Sequence, residues 1–306
     1  MRSIIHLSER DLNLLGFLFK YKVASSALVM GRYFSSCASH TAYKRLLALE
    51  KANFIEARSD HSGKNYLWML KKKGFDVIKS SLPELAEIGF KSENIVHDYL
   101  CTLLSLSLET KSEDKKSIVI SEQQLRRFDE NVFPKWLPSP KDHRPDGYIR
   151  TSEEDNQKLI ALEVELNIKK ASRYLSTLYF FETYSDKIDH ILWVLPSHKT
   201  GERLSRILKD SGISSRSLCP KDREDYHLFI SLVEFEKAGM DTKVFNLDQN
   251  EITNLKKLVG NRHGITTESD PFMDMRILAK SPHKLRAYKD GVGLKKIQQT
   301  YKSLIF

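Results

Sequence analysis

With 306 residues, 41% of them hydrophobic and 29% charged, the chain has room for two domains with real cores and does not read as fibrous or disordered. Its net charge of +9 and pI near 9.2 point to an acidic partner, nucleic acid first and an anionic membrane surface second. Cys37, Cys101 and Cys219 are odd in number and far apart, which excludes a disulfide framework and a cysteine-metal cluster and suits a reducing cytoplasm.

No signal peptide is read at the start of the chain. The apolar run at 14–19 is too short to span a bilayer and is flanked by Asp11 and Lys20, so no membrane partner is expected. A helix is predicted over 8–21, capped by Ser8, with Asp11 in its first turn where the helix dipole favours an anion. After a short break at 22–24, a second helix follows around 26–33. Beyond a polar turn, a third runs from 39 to 52 with Ala42, Leu46 and Leu49 inward. Residues 54–58 and 65–70 read as two strands joined by a polar loop, and 71–78 as a further helical piece.

Three helices followed by a β-hairpin make the winged helix-turn-helix pattern, assigned to residues 1–82. Its third helix is the natural reader of the major groove. Ser39, His40, Tyr43 and Lys44, with Ser36, lie near that helix's entry, and the wing would offer Arg58, His61 and Lys64 to phosphates. Residues 1–80 carry 14 Lys or Arg against 6 Asp or Glu, a net +8 that accounts for most of the chain's excess. The plain alternative is a winged helix that contacts protein, its cations merely solvated.

Leu82-Pro83-Glu84-Leu85 reads as a hinge into a second domain, 88–240. A long helix is expected over 92–108. Its His97-Asp98 pair is read as structural. A strand at 117–121 ends at Glu122, and 123–143, with Pro134, Pro138 and Pro140, is expected to be an irregular surface segment. Then come Arg144-Pro145-Asp146-Gly147-Tyr148-Ile149 and the strand 159–166. Alternation puts Ile160, Leu162, Val164 and Leu166 on one face and Leu159, Ala161, Glu163 and Glu165 on the other. Two carboxylates side by side repel, so the stretch asks for a compensating charge. The bland reading is a solvated strand face. A helix over 168–184 carries Lys169, Lys170 and Arg173 in its first turn, against the helix dipole. A buried strand at 190–195, a helix at 199–211 capped by Ser197, and a strand at 227–232 complete a mixed sheet with helices. The remainder, 241–306, is an extension whose stretch 276–303 holds 8 Lys or Arg against Asp290 alone, a tail able to grip a nucleic-acid backbone.

Hard cations prefer carboxylate oxygens, and Mg²⁺ commonly takes one or two of them plus phosphate oxygens. Asp146 and Glu163 would supply these, with the carbonyl of Val164 as a third oxygen. Glu165 would be a second ligand or general base, and His143 a proton carrier or phosphate contact.

Taken together, Ser121-Glu122-Gln123-Gln124-Leu125-Arg126, His143-Arg144-Pro145-Asp146-Gly147, Leu162-Glu163-Val164-Glu165-Leu166 and Lys169 through Tyr174 resemble the PD-(D/E)xK nuclease superfamily. The nearer resemblance is to the replication-relaxation group and the MOBC-type relaxases, which join a winged helix to a restriction-endonuclease-like domain. It covers about 8–195. It implies an α+β or α/β chain, a winged helix followed by a restriction-endonuclease-like mixed-sheet domain. It also implies Mg²⁺- or Mn²⁺-dependent cleavage or nicking of DNA in the transfer or replication of a mobile element such as a plasmid. Asp146 and Glu163 would bind the metal, Glu165 would assist, Lys169 would be the catalytic lysine, and Glu122 would be a further acidic member. Lys170, Arg173 and His143 would touch DNA. A homodimer or accessory proteins of the mobile element are further expected partners. The superfamily's lysine ordinarily follows the acid by two residues. Glu165 holds that place here, and Lys169 must reach back. This departure keeps open a second reading, an inert nuclease-like DNA-binding regulator or replication-initiation factor, and a third, an adaptor that docks other proteins.

Overall fold

The computed structural model describes residues 5–59, 66–109, 117–141, 143–151, 157–210 and 224–259. These form two compact units, one of residues 5–103 with 127–129, the other of 104–126 with 130–259. His61, Lys64, Cys219 and the basic stretch 276–303 lie outside the described residues.

The first unit opens with α1 (Glu9–Tyr21). Ser8 Oγ accepts from the Asp11 N–H, and the Asp11 carboxylate accepts from the Ser8 N–H, a reciprocal capping box. The expected break at 22–24 is instead a strand, β1 (Val23–Ser25), which is too short to show periodicity and is held by long-range pairing with β3. Ser25 also caps α2 (Ser26–Tyr33) through the Leu28 N–H. Then come α3 (Ser39–Lys51), β2 (Ile55–Ser59), β3 (Tyr66–Leu70) and α4 (Lys72–Ile78). The three strands form an antiparallel sheet in the order β1-β3-β2. Leu14, Leu15 and Leu18 of α1 share its core with Ala42, Leu46 and Leu49 of α3, at the helical spacing expected, and with Trp68 and Phe75.

Residues 82–85 are not a free hinge. The Glu84 carbonyl accepts from the Asp129 N–H at 2.9 Å, and Leu85 bridges Phe128. The long helix α5 (Ile95–Leu108) follows, and Asp98 on it pairs with Lys22 at 2.9 Å, a structural role for that acid.

The second unit is built on a seven-stranded mixed sheet. Its elements in chain order are β4 (Ile118–Ser121), α6 (Glu122–Arg127), β5 (Gly147–Arg150), β6 (Leu159–Val164), α7 (Ser172–Thr183), β7 (His190–Leu195), α8 (His198–Asp210), β8 (His227–Ser231), α9 (Leu232–Ala238), β9 (Lys243–Phe245), β10 (Glu251–Asn254) and α10 (Leu255–Leu258). The spatial order is β10-β9-β8-β7-β6-β5-β4. β6-β7 and β7-β8 are parallel, and the other pairs are antiparallel. The sheet therefore runs past residue 240, because β9 and β10 extend its edge.

α7 and α8 cover one face. Leu178, Phe181, Leu204 and Leu208 pack there on Leu159, Ala161, Trp193 and Phe229. Ile160, Leu162 and Val194, of opposite parity, are buried as well. β6 is thus covered on both faces, as central parallel strands are, and its acidic side is not a solvated one. The segment after β4 is also more ordered than its prolines suggest. α6 starts it, and Gln123, Leu125 and Leu137 are buried.

Candidate functional site

The registers align three strand ends. Ser121 pairs with Gly147, and Gly147 with Leu162. One step along the same row stand Glu122, Asp146 and Glu163. The Glu122 N–H donates to the Asp146 carbonyl at 3.1 Å, which closes the first junction. Asp146 Oδ2 accepts from the Val164 N–H at 2.7 Å, which closes the second. Gly147 keeps the turn into β5 tight, since a Cβ there would stand 3.0 Å from the Ile120 carbonyl oxygen.

Around Glu163 the polar groups converge. His143 Nε2 lies 2.6 Å from Glu163 Oε1. The imidazole packs edge-on against both Phe180 and Phe181 of α7, at 5.3 and 5.6 Å between centroids, and those two rings touch each other at 5.5 Å. Burial pushes the Glu163 carboxyl above the usual range. The neighbouring Asp146 adds to this, and His143 and Lys169 oppose it. For His143, burial works against the imidazolium, but the charges of Glu163 and Asp146 outweigh it and raise the ring's pKa.

Glu165 lies just past the end of β6, although its N–H still reaches the Val194 carbonyl at 2.9 Å. It is only 7% exposed. Lys169 Nζ sits 2.9 Å from its Oε2, so the lysine does reach back toward the acids. α7 begins at Ser172, later than the periodicity predicts. Lys169 and Lys170 therefore precede the helix, and only Arg173 lies in its first turn. The Lys169 N–H is taken up by the Tyr174 hydroxyl at 3.0 Å, and Tyr174 is itself hydrogen-bonded to Glu165.

Among the sequence-predicted residues, the fold thus gathers Asp146, Glu163, Glu165, Lys169 and His143 into one cluster. Glu122 joins the row through its backbone. Lys170 and Arg173 remain exposed at its rim. Sequence reasoning missed Tyr174 as a support for Glu165 and Lys169, and Phe180 and Phe181 as the rings His143 packs against. Their burial at helical spacing was legible, but their contact with polar groups was not.

Carboxylate oxygens such as those of Asp146, Glu163 and Glu165 are the donor type a hard divalent cation prefers, and the rise of the Glu163 carboxyl comes first from burial and then from Asp146.

In the first unit, His40 and Lys44 are exposed along α3, and Ser39 opens that helix half-buried. Tyr43 is half-buried and packs on Tyr66 and Trp68 at 6.1 and 6.4 Å. Burial, and then its hydrogen bond with Tyr66, raise its hydroxyl pKa. Arg58 is exposed and lies 3.4 Å from Glu56, so part of its charge is met on its own strand. No protein-family model, curated protein or solved structure matches this chain.

Proposed function

We propose that the chain is a DNA-binding protein with Mg²⁺- or Mn²⁺-dependent endonuclease or nicking activity, relaxase-like, acting in the transfer or replication of a mobile element. The observation that carries this reading is the convergence of Asp146, Glu163, Glu165 and Lys169 at adjoining strand ends. The run α5-β4-α6-β5-β6-α7-β7, with an acid just before β5 and an acid pair at the end of β6, agrees with a restriction-endonuclease-like core with α6 inserted between its first two strands. The first unit's order α1-β1-α2-α3-β2-β3, with an antiparallel three-stranded sheet, agrees with a winged helix. Exposed His40 and Lys44 on α3 are its candidate DNA contacts.

Asp146 and Glu163 would hold the cation, with Glu165 assisting. Such a cation lowers the pKa of bound water and offsets the charge that builds on a phosphodiester under attack. Lys169 anchors Glu165 and brings a positive charge beside the phosphate's path. His143 holds a proton between its Nε2 and Glu163 Oε1, and its edge contacts with Phe180 and Phe181 support that ring.

One observation favours the second reading, an inert nuclease-like regulator or replication-initiation factor. The Lys169 amine is engaged by Glu165, and the acid's second neighbour is Glu165 rather than a lysine. Conversion of supercoiled plasmid to the open circle separates the two. The enzyme reading predicts nicking with Mg²⁺ or Mn²⁺, lost on chelation. In Asp146→Asn and Glu163→Gln the loss should exceed the roughly 10–100-fold that removal of a mere supporting partner costs. Activity that survives both chelation and Glu163→Ala would overturn the mechanism. DNA binding with no nicking under either metal would favour the regulator.

A further inference from the structure

The outward face of α8 carries charge that nothing so far explains. Lys199, Arg203 and Arg206 are exposed, and none has an acidic partner among the described residues. Their spacing of i, i+4 and i+7 places them within a narrow stripe, rising about 6 Å and then about 4.5 Å along the helix. Several other exposed cations of this unit are matched. Lys209 meets Asp248 at 2.6 Å, Lys243 meets Glu251 at 2.6 Å and Lys141 meets Glu130 at 3.4 Å. The acids on α8 itself stand aside. Glu202 flanks the stripe and lies 3.6 Å from His198, and Asp210 is the last residue of the helix.

We propose that this stripe is a nucleic-acid backbone contact of the second unit, separate from the α3 face. It rests on the DNA-binding reading above and adds a surface to it. Three cations over about 10 Å match roughly three phosphates of one strand, spaced at about 3.4 Å of axis each. α8 leaves the end of β7, and β7 runs beside β6 where the Glu165 N–H bonds the Val194 carbonyl. A strand lying along the stripe is thereby led toward the carboxylate cluster. An anionic membrane fits less well. α8 exposes no large apolar side chain, and Ile207 is turned onto the core, whereas interfacial helices bury an apolar face in the lipid.

The test is binding of the full-length protein, with chelator present, to a short fluorescein-labelled DNA duplex across a salt series. The triple variant Lys199→Ala, Arg203→Ala, Arg206→Ala should lower the slope of log K against log salt by about 2.7, at about 0.9 per lost phosphate contact, and weaken binding about tenfold or more at 0.1 M salt. Arg203→Lys with Arg206→Lys should leave the slope unchanged. If the triple variant does not fold, Arg203→Gln alone should lower the slope by about 0.9. A wild-type slope in the alanine variants, together with a weakened His40→Ala, Lys44→Ala variant, overturns the stripe and leaves the α3 reading standing. Wild-type protein that binds no duplex overturns both. Loss of binding to phosphatidylserine vesicles in the triple variant, with duplex affinity intact, would assign the stripe to membranes and overturn it as well.

Discussion

Arg45→Met tests how α3 is held in the first unit. Asp11 is fully buried at 0% exposure and accepts two bonds from the Arg45 guanidinium, at 3.1 and 2.6 Å. Arg45 also donates to the His6 carbonyl at 2.7 Å, so one side chain ties α3 to α1 and to the segment before it. Removing one partner of a buried ion pair costs about 3–5 kcal/mol, because the other charge is left uncompensated. The Arg45 side chain is 25% exposed and the capping bonds from Ser8 persist, so about 3 kcal/mol is expected. At about 2–4 °C per kcal/mol this lowers Tm by about 6–12 °C.

The pH dependence carries the sharper signature. Burial pushes the Asp11 carboxyl up, but the bonds from Arg45 and Ser8 outweigh it and hold it below the ordinary range. A depressed carboxyl contributes its stability in full above the unfolded pKa of about 4, and that stability is lost as pH falls through the folded value. Without Arg45, burial prevails and the carboxyl moves up. The deficit of the variant should be largest near neutral pH and shrink in acid. Urea and thermal unfolding between pH 3 and 7 measure this, with hydrogen exchange at α1 and α3 amides assigning the change to this unit. Equal stability at pH 7, or a deficit that does not change with pH, would refute the reasoning.

Two glycine substitutions should act in opposite directions. A Cβ at Gly74 would lie 2.2 Å from the Phe54 carbonyl oxygen, a backbone atom that cannot swing away. Gly74→Ala should therefore destabilise by about 2 kcal/mol despite its better helix propensity. Nothing lies within 4 Å of a Cβ at Gly16, so Gly16→Ala should stabilise α1 by about 1 kcal/mol, and urea unfolding reads both. Tyr148 is 1% exposed and its hydroxyl has no hydrogen-bond partner among the described residues, so Tyr148→Phe should stabilise by about 1 kcal/mol in the same assay. A loss on Tyr148→Phe would mean that the hydroxyl serves a partner in the site.

What could be read early was local. The Ser8 cap, the inward Ala42, Leu46 and Leu49, and the nearly all-apolar β7 are set by neighbours in the chain, through capping chemistry and the 3.6-residue period. What escaped was short or paired at long range. β1, β9 and β10 have three or four residues each, too few for alternation to show; β1 and β9 are held by strands farther along the chain, and β10 by its neighbour β9. The segment after Glu122 looked irregular because prolines dominate its composition, while the α6 turns at its head are fixed by burial of Gln123 and Leu125.

The same division runs through the candidate site. Asp146, Glu163, Glu165, Lys169 and His143 were nameable from the chain alone, since residue type and order carry the resemblance they make. Tertiary structure decided what those groups do to one another. α7 folds over the acidic face of β6, so the two glutamates are buried rather than solvated, and Glu163 is pushed toward its neutral form. It also decided that His143 bonds Glu163 while packed against Phe180 and Phe181, and that Lys169 reaches Glu165 from before its helix. Burial and proximity of charge govern these effects, and both depend on which distant segments the sheet brings together.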